Sequence, residues 1–112
     1  MLESQLQILL INKLYELEKN KHNIFFHSIP NEGKRSYNQA KLLKSMGLRK
    51  GTPDIHIVKK GISIYVEMKA TGKKLRVEQE EIKQKILLSG ARHYLVDSIG
   101  AINKLIEYIK EL

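Results

Sequence analysis

The stretch Pro53-Asp-Ile-His-Ile-Val-Lys-Lys-Gly-Ile-Ser-Ile-Tyr-Val-Glu-Met-Lys69 is where the chain changes its hydrophobic period from helical to alternating. Ile55 and Ile57 alternate with Asp54, His56 and Val58; Ile62, Ile64 and Val66 alternate with Ser63, Tyr65 and Glu67. Two short alternating runs around Lys60-Gly61 predict a β-hairpin, with glycine supplying the positive φ of a tight turn. A two-residue turn sets Ile55 opposite Val66 and Ile57 opposite Ile64 on an apolar face. On the other face it sets Asp54 opposite Glu67, His56 opposite Tyr65 and Val58 opposite Ser63. A longer Lys59-Lys60-Gly61 loop would shift this register by one residue.

The same register makes a chemical statement. Carboxylates directly opposed across a hairpin, with Cβ atoms about 4.5 to 5.5 Å apart, repel unless a cation lies between them. Lys69 follows Glu67 by two residues, on the same face and roughly 7 Å along the strand. Two carboxylates and an ammonium converging on one spot suit phosphodiester hydrolysis, in which a hard divalent cation binds phosphate oxygen and activates water. All-oxygen ligands in a chain without cysteine favour Mg²⁺ or Mn²⁺ over zinc. Acids and lysines on the polar face of a hairpin are also common as solvated groups, so the pattern alone is permissive.

Outward from the hairpin, Leu6, Leu9, Leu10, Leu14 and Leu17 recur at helical spacing and predict an amphipathic helix over about Leu2 to Glu18. A short strand over Ile24 to Ile29 follows, then a Pro30-Asn31-Glu32-Gly33 loop and a short helix from Asn38 to Met46 ended by Gly47. Downstream, Val77 to Ser89 reads as a helix with Ile82, Ile86, Leu87 and Leu88 inward and Gly90 just past its end. Arg92 to Val96 reads as a strand parallel to the second hairpin strand. Ser98 then caps a final helix with an Ile99, Ile102, Leu105, Ile106 and Ile109 stripe. The expected fold is α/β, a mixed sheet flanked by helices in the order α-β-α-β-β-α-β-α, in one domain over residues 1–112.

The 112 residues carry 20 Lys+Arg against 12 Asp+Glu, a formal charge of +8, and 42% apolar residues, which fits a globular domain able to attract a polyanion. The charge is uneven. Lys34, Arg35, Lys41, Lys44, Arg49 and Lys50 lie between Asn31 and Lys50 against one acid, Glu32, and Lys69 to Arg76 is wholly basic in its charges. His27, Asn31, Lys34 and Arg35 surround the loop after the first strand, a place suited to holding phosphates, and Arg49, Lys50, Lys73 and Lys74 extend the candidate DNA-binding set. No apolar run approaches a membrane span of roughly 18 residues and no signal-peptide layout opens the chain, so a cytoplasmic location and no membrane partner are expected. His22, His27, His56 and His93 show no zinc spacing. There is no Gly-rich phosphate loop, no Ser or Cys nucleophile constellation, and no aromatic-rich strand for stacking single-stranded bases, with only Phe25 and Phe26 adjacent.

Pro53-Asp54 followed by Glu67-Met68-Lys69 resembles the signature of the PD-(D/E)XK nuclease superfamily. With Gly47-Leu-Arg-Lys-Gly51-Thr-Pro53-Asp54-Ile55, and with Gln79, Leu87 and Gly90 downstream, the chain resembles the VRR-NUC nucleases from Glu3 to about Val96. The resemblance implies a restriction-endonuclease-like core and metal-dependent cleavage of DNA, with branched or flapped structures as substrates. It also implies a homodimer of the stand-alone phage or bacterial kind, in a bacterial or phage-infected cell. It makes Asp54 and Glu67 metal ligands with the Met68 carbonyl as a third, and Lys69 the catalytic lysine. Glu3 would reach the metal through water and Gln79 would face the site. An acid in a first helical turn is also favoured by the helix dipole, and a glutamine on a helix surface is unremarkable. Arg76-Val77-Glu78-Gln79 departs from the Ser-Pro pair that many relatives carry before the glutamine. The competing classes are a catalytically silent nucleic-acid-binding module and a structural subunit that meets a protein through its basic face.

Overall fold

Alternation over Ile55–Lys59 and Ile62–Met68 produces strands β2 and β3, paired antiparallel from Ile55↔Val66 through Ile57↔Ile64 to Lys59↔Ile62. This is the two-residue-turn register. Lys60 (φ 51°) and Gly61 (φ 77°) both take the left-handed conformation that the tight hairpin turn requires. The computed structural model describes residues 1–30 and 35–112; Asn31 and Lys34 of the expected phosphate-binding loop lie outside the described residues.

Six further elements complete the expected order. Helix α1 spans Glu3–Lys19, strand β1 Ile24–Ser28, α2 Tyr37–Ser45, α3 Val77–Leu88, β4 Arg92–Val96 and α4 Ile99–Glu111. The sheet runs β1-β2-β3-β4, antiparallel for the first two pairings and parallel for β3 with β4, whose connection is α3. The structure is thus a mixed four-stranded sheet flanked by helices. No helix among the described residues is long and apolar enough to cross a membrane.

One face of the sheet carries the core. Ile24 and Phe26 of β1, Ile55 and Ile57 of β2, Ile64, Val66 and Met68 of β3 and Val96 of β4 are buried. They pack with Leu6, Leu10, Leu14 and Leu17 of α1 and Ile102, Leu105, Ile106 and Ile109 of α4. Two expected core members are corrected. Leu9 and Ile99 remain partly in solvent, because Leu6, Leu10, Leu14 and Leu17 complete the α1 stripe and Ile99 sits in the first turn of α4, ahead of its buried residues. Lys59 is a surprise on this face. It is buried, and its Nζ donates to the Ile109 carbonyl at 2.8 Å, placing a cation where the α4 C-terminus presents its free carbonyls.

The other face is covered only in part. Helix α3 lies over β3 and β4, bringing Ile82 and Ile86 to a cleft with Tyr65, Arg49 and Thr52. Leu87 and Leu88, expected inward, are exposed, and Gln79 is the buried residue of the helix. At about 3.6 residues per turn Leu88 stands opposite Gln79 on the helix, so the line through Gln79, Ile82 and Ile86 excludes it. Helix α2 buries none of its residues; Ser36 caps its start through Gln39 N–H. Gly47 (φ 104°) ends it, with Leu48 N–H returning to the Leu43 carbonyl.

Candidate active site

Strand β3 delivers the central acid. Val66 and Met68 point into the core and are fully buried, so Glu67 between them points to the opposite face, beneath α3. There it is 3% exposed. Gln79 holds one of its oxygens: Gln79 Nε2 donates to Glu67 Oε1. The glutamine is itself fixed from behind, because its Oε1 accepts the Arg76 backbone N–H at 2.8 Å as the reciprocal half of a helix cap. That bond orients the amide with its NH₂ toward the acid. The helix starts at Val77 as expected, with Arg76 in the cap position.

The second oxygen, Glu67 Oε2, is buried and has no hydrogen-bond partner among the described residues. Burial pushes the Glu67 carboxyl up to about 8, with the Asp54 charge adding to the rise, Lys69 opposing it, Glu3 raising it and Arg76 lowering it. These electrostatic effects place Asp54, Lys69, Glu3 and Arg76 around the acid. Arg76 was not among the residues that sequence reasoning assigned to the site. The signal was present, since Arg76 ends the wholly basic Lys69–Arg76 segment, but its neighbourhood to Glu67 depends on how α3 docks.

Asp54 enters the site differently from a plain cross-strand partner of Glu67. The regular ladder ends at Ile55↔Val66, and Asp54 N–H bonds the Val66 carbonyl at 3.0 Å, one residue short of the position that the ladder would assign. The Asp54 carbonyl accepts Ile29 N–H at 2.7 Å, so the residue bridges β1 and β3 at the mouth of the sheet. Its carboxylate is anchored too: Asp54 Oδ2 accepts the Met68 backbone N–H at 2.8 Å. Asp54 is therefore tied to the peptide unit between Glu67 and Met68, and the buried Met68 side chain fixes that unit to the core. Lys69 continues the line, its N–H donating to the Val96 carbonyl at 3.0 Å.

The cationic candidates are more scattered. Lys73 and Lys74 are exposed in the turn leading to α3, and Arg35 is exposed ahead of α2. Lys50 pairs with Glu78 at 3.7 Å, and Arg76 reaches the same carboxylate at 3.6 Å, so part of the Lys50 charge is spent within the protein. Their loop touches α3 closely. Gly51 has φ 89°, and a Cβ there would stand 2.5 Å from the Glu78 carbonyl oxygen, so only glycine fits. His27 is exposed on β1, its Nδ1–H donating to the Ser28 carbonyl at 2.9 Å.

The donor set accommodates a hard cation. The Asp54 and Glu67 carboxylates are hard oxygen donors, the Met68 backbone carbonyl is the third that the resemblance implies, and the buried Glu67 Oε2 has no partner among the described residues. Among the described residues no three His, Cys, Asp or Glu side chains form a metal cluster by themselves, so a cation here would also draw on the backbone carbonyl or on water.

Two acids and a lysine thus come together at the mouth of the mixed sheet. A sequence model of the VRR-NUC domain matches residues 2–99, and the chain belongs to the VRR-NUC family. It is a nuclease-type domain, and nucleic acid is the substrate that this implies. No curated protein matches the sequence.

Proposed function

We propose that the protein is a Mg²⁺- or Mn²⁺-dependent endodeoxyribonuclease of the PD-(D/E)XK superfamily, selective for branched, junction or flap DNA. The observation that carries this reading is Glu67, an acid buried beside a second acid, with one oxygen held by Gln79 and the other without a partner among the described residues. Burial leaves such an acid to be neutralised either by the proton its raised value retains or by a cation that takes the proton's place.

Asp54 and Glu67 would hold the cation with the Met68 carbonyl, and Glu3 would contribute through water. The bound ion supplies Lewis-acid polarisation of a phosphate oxygen and a more acidic water. Gln79 keeps the Glu67 carboxylate aimed at the site, and Met68 N–H does the same for Asp54. Lys69 positions the attacking water by its ammonium or offsets charge that builds on the phosphate. His27, Asn31, Lys34, Arg35, Arg49, Lys50, Lys73 and Lys74 hold the flanking backbone, which makes binding steeply salt-dependent. Each chain has one such site and cuts one strand, so paired cutting at a junction calls for a homodimer, of the stand-alone phage or bacterial type and acting in the cytoplasm.

The test is a panel of junction, flap and duplex DNA with Mg²⁺ or Mn²⁺. Asp54→Ala and Lys69→Ala should each lower cleavage by more than about a hundredfold while leaving the circular dichroism spectrum unchanged. Undiminished cutting by either variant removes the site, and DNA binding without products in the wild type replaces the enzyme with a binding module. Sedimentation as a monomer at assay concentrations would remove the dimer.

A further inference from the structure

Reading the register across the sheet, rather than along any strand, aligns the side chains of the α3 face in three rows. Glu67 stands in the first, paired with Leu95, with Asp54 just beyond the end of the β2 ladder. The second is His27↔His56↔Tyr65↔His93, one residue from each strand in exact pairing. Phe25↔Val58↔Ser63 forms the third. The sequence shows no strand rich in aromatic residues because the rings come one or two per strand and meet only through three successive pairings.

The rings are in contact. His56 and Tyr65 stack with centroids 4.5 Å apart and planes at 11°, and His56 Nε2 is hydrogen-bonded to Ser63 Oγ at 3.0 Å. His27 meets His56 edge-on at 5.6 Å, and Phe25 lies 5.9 Å from His27 at 33°. Helix α3 covers the Tyr65 end of the row and leaves the β1 end bare, where Phe25 is 64% exposed beside exposed His27. The His27 row stands two strand residues, roughly 7 Å, from the level of the acids, and Phe25 stands four, roughly 13 Å, on the edge strand two strands from Glu67.

We propose that Phe25 and His27 form a stacking shelf for an unpaired base of the DNA strand whose phosphate lies at the acids. The claim rests on the nuclease reading and specifies its substrate as DNA with an unstacked nucleotide a few nucleotides from the cut. Three observations select this occupant. A ring face presented to solvent next to a phosphate-type site matches base stacking, which tolerates any base. The rings lie on the same face of the sheet as Glu67, so one strand of a few nucleotides can run over both. The chain also carries +8 net charge and has no acid between Gly33 and Pro53, which favours a polyanion over a second copy of an equally basic surface.

The experiment measures affinity for flap DNAs carrying 2-aminopurine at each of the first few positions of the single strand, against a fully paired duplex of the same length, for wild type, Phe25→Ala and Phe25→Trp, without divalent cation. The exposed position of Phe25 makes all three fold alike. Expected are quenching of 2-aminopurine by the wild type, about a tenfold fall in the flap-to-duplex affinity ratio in Phe25→Ala, and recovery in Phe25→Trp. An unchanged ratio overturns the shelf. So does a shift of Phe25→Ala from dimer to monomer with the ratio intact, which would assign the patch to a self-interface. Because these readouts need no cleavage, a wild type that cuts neither DNA defeats the nuclease reading alone and leaves the shelf to be decided by the ratio.

Discussion

The two faces of the sheet are built from the same strands and have opposite economies. Among the described residues the α1/α4 face buries sixteen apolar side chains of strands and helices in one cluster, and the one charged side chain buried with them, Lys59, donates to a carbonyl near a helix C-terminus. The α3 face buries an acid, aligns histidines and tyrosine, and leaves Phe25 in water. The first face accounts for stability and the second holds the acids, the lysine and the rings of the candidate site. What separates them is a single-residue alternation, so the strands that stabilise the protein also aim its chemistry.

The sharpest way to break this contrast is by substitution in the core face. Ile57→Ala should cost about 2 to 5 kcal/mol in chemical denaturation, since a fully buried side chain leaves a cavity. A cost under about 1 kcal/mol would show the core to be loosely packed. The opposite sign is expected across the sheet. The Glu67 carboxyl is raised to about 8 from an ordinary 4.5, so between these values the folded protein holds a proton that the unfolded chain has released. Stability is therefore fullest below the unfolded value and falls as pH rises through the folded one, by up to roughly 4 kcal/mol across pH 5 to 8 in the metal-free protein. Glu67→Gln should flatten that slope and melt higher than the wild type at pH 8; a variant that melts lower would contradict an uncompensated acid.

Smaller effects sharpen the comparison. Lys59→Met keeps the packed stem and loses the bond to the Ile109 carbonyl, which also accepts Leu112 N–H, so about 1 kcal/mol should be lost in thermal unfolding. Leu88→Gln, on the exposed side of α3, should change stability by less than about 0.5 kcal/mol; a larger loss would mean that this surface is covered in solution.

The hairpin and its register were legible because Ile55, Ile57, Ile64 and Val66 demand one shared face, and a slip of one residue would expose them all. The α4 stripe was legible for the same reason at helical period. Leu88 and Lys59 were not. Leu88 lies in an apolar run, Ile86-Leu87-Leu88, that names no face, and Lys59 breaks the hydrophobic pattern to serve a helix end fifty residues away. The acids, Lys69 and Gln79 could be named from spacing and resemblance. Asp54 stepping out of the ladder, Arg76 near Glu67 and the ring row could not, since each depends on how separate elements dock.

The contact of Gly51 with the Glu78 carbonyl gives that docking a mechanical meaning. Without a side chain to space them, the loop bearing Arg49 and Lys50 and the opening turn of α3 are wedged together, and Gln79 is the next residue after Glu78. Any side chain at position 51 would prise that joint open and shift the turn that carries the amide gripping Glu67, so the loop's one missing Cβ sets the aim of the buried acid.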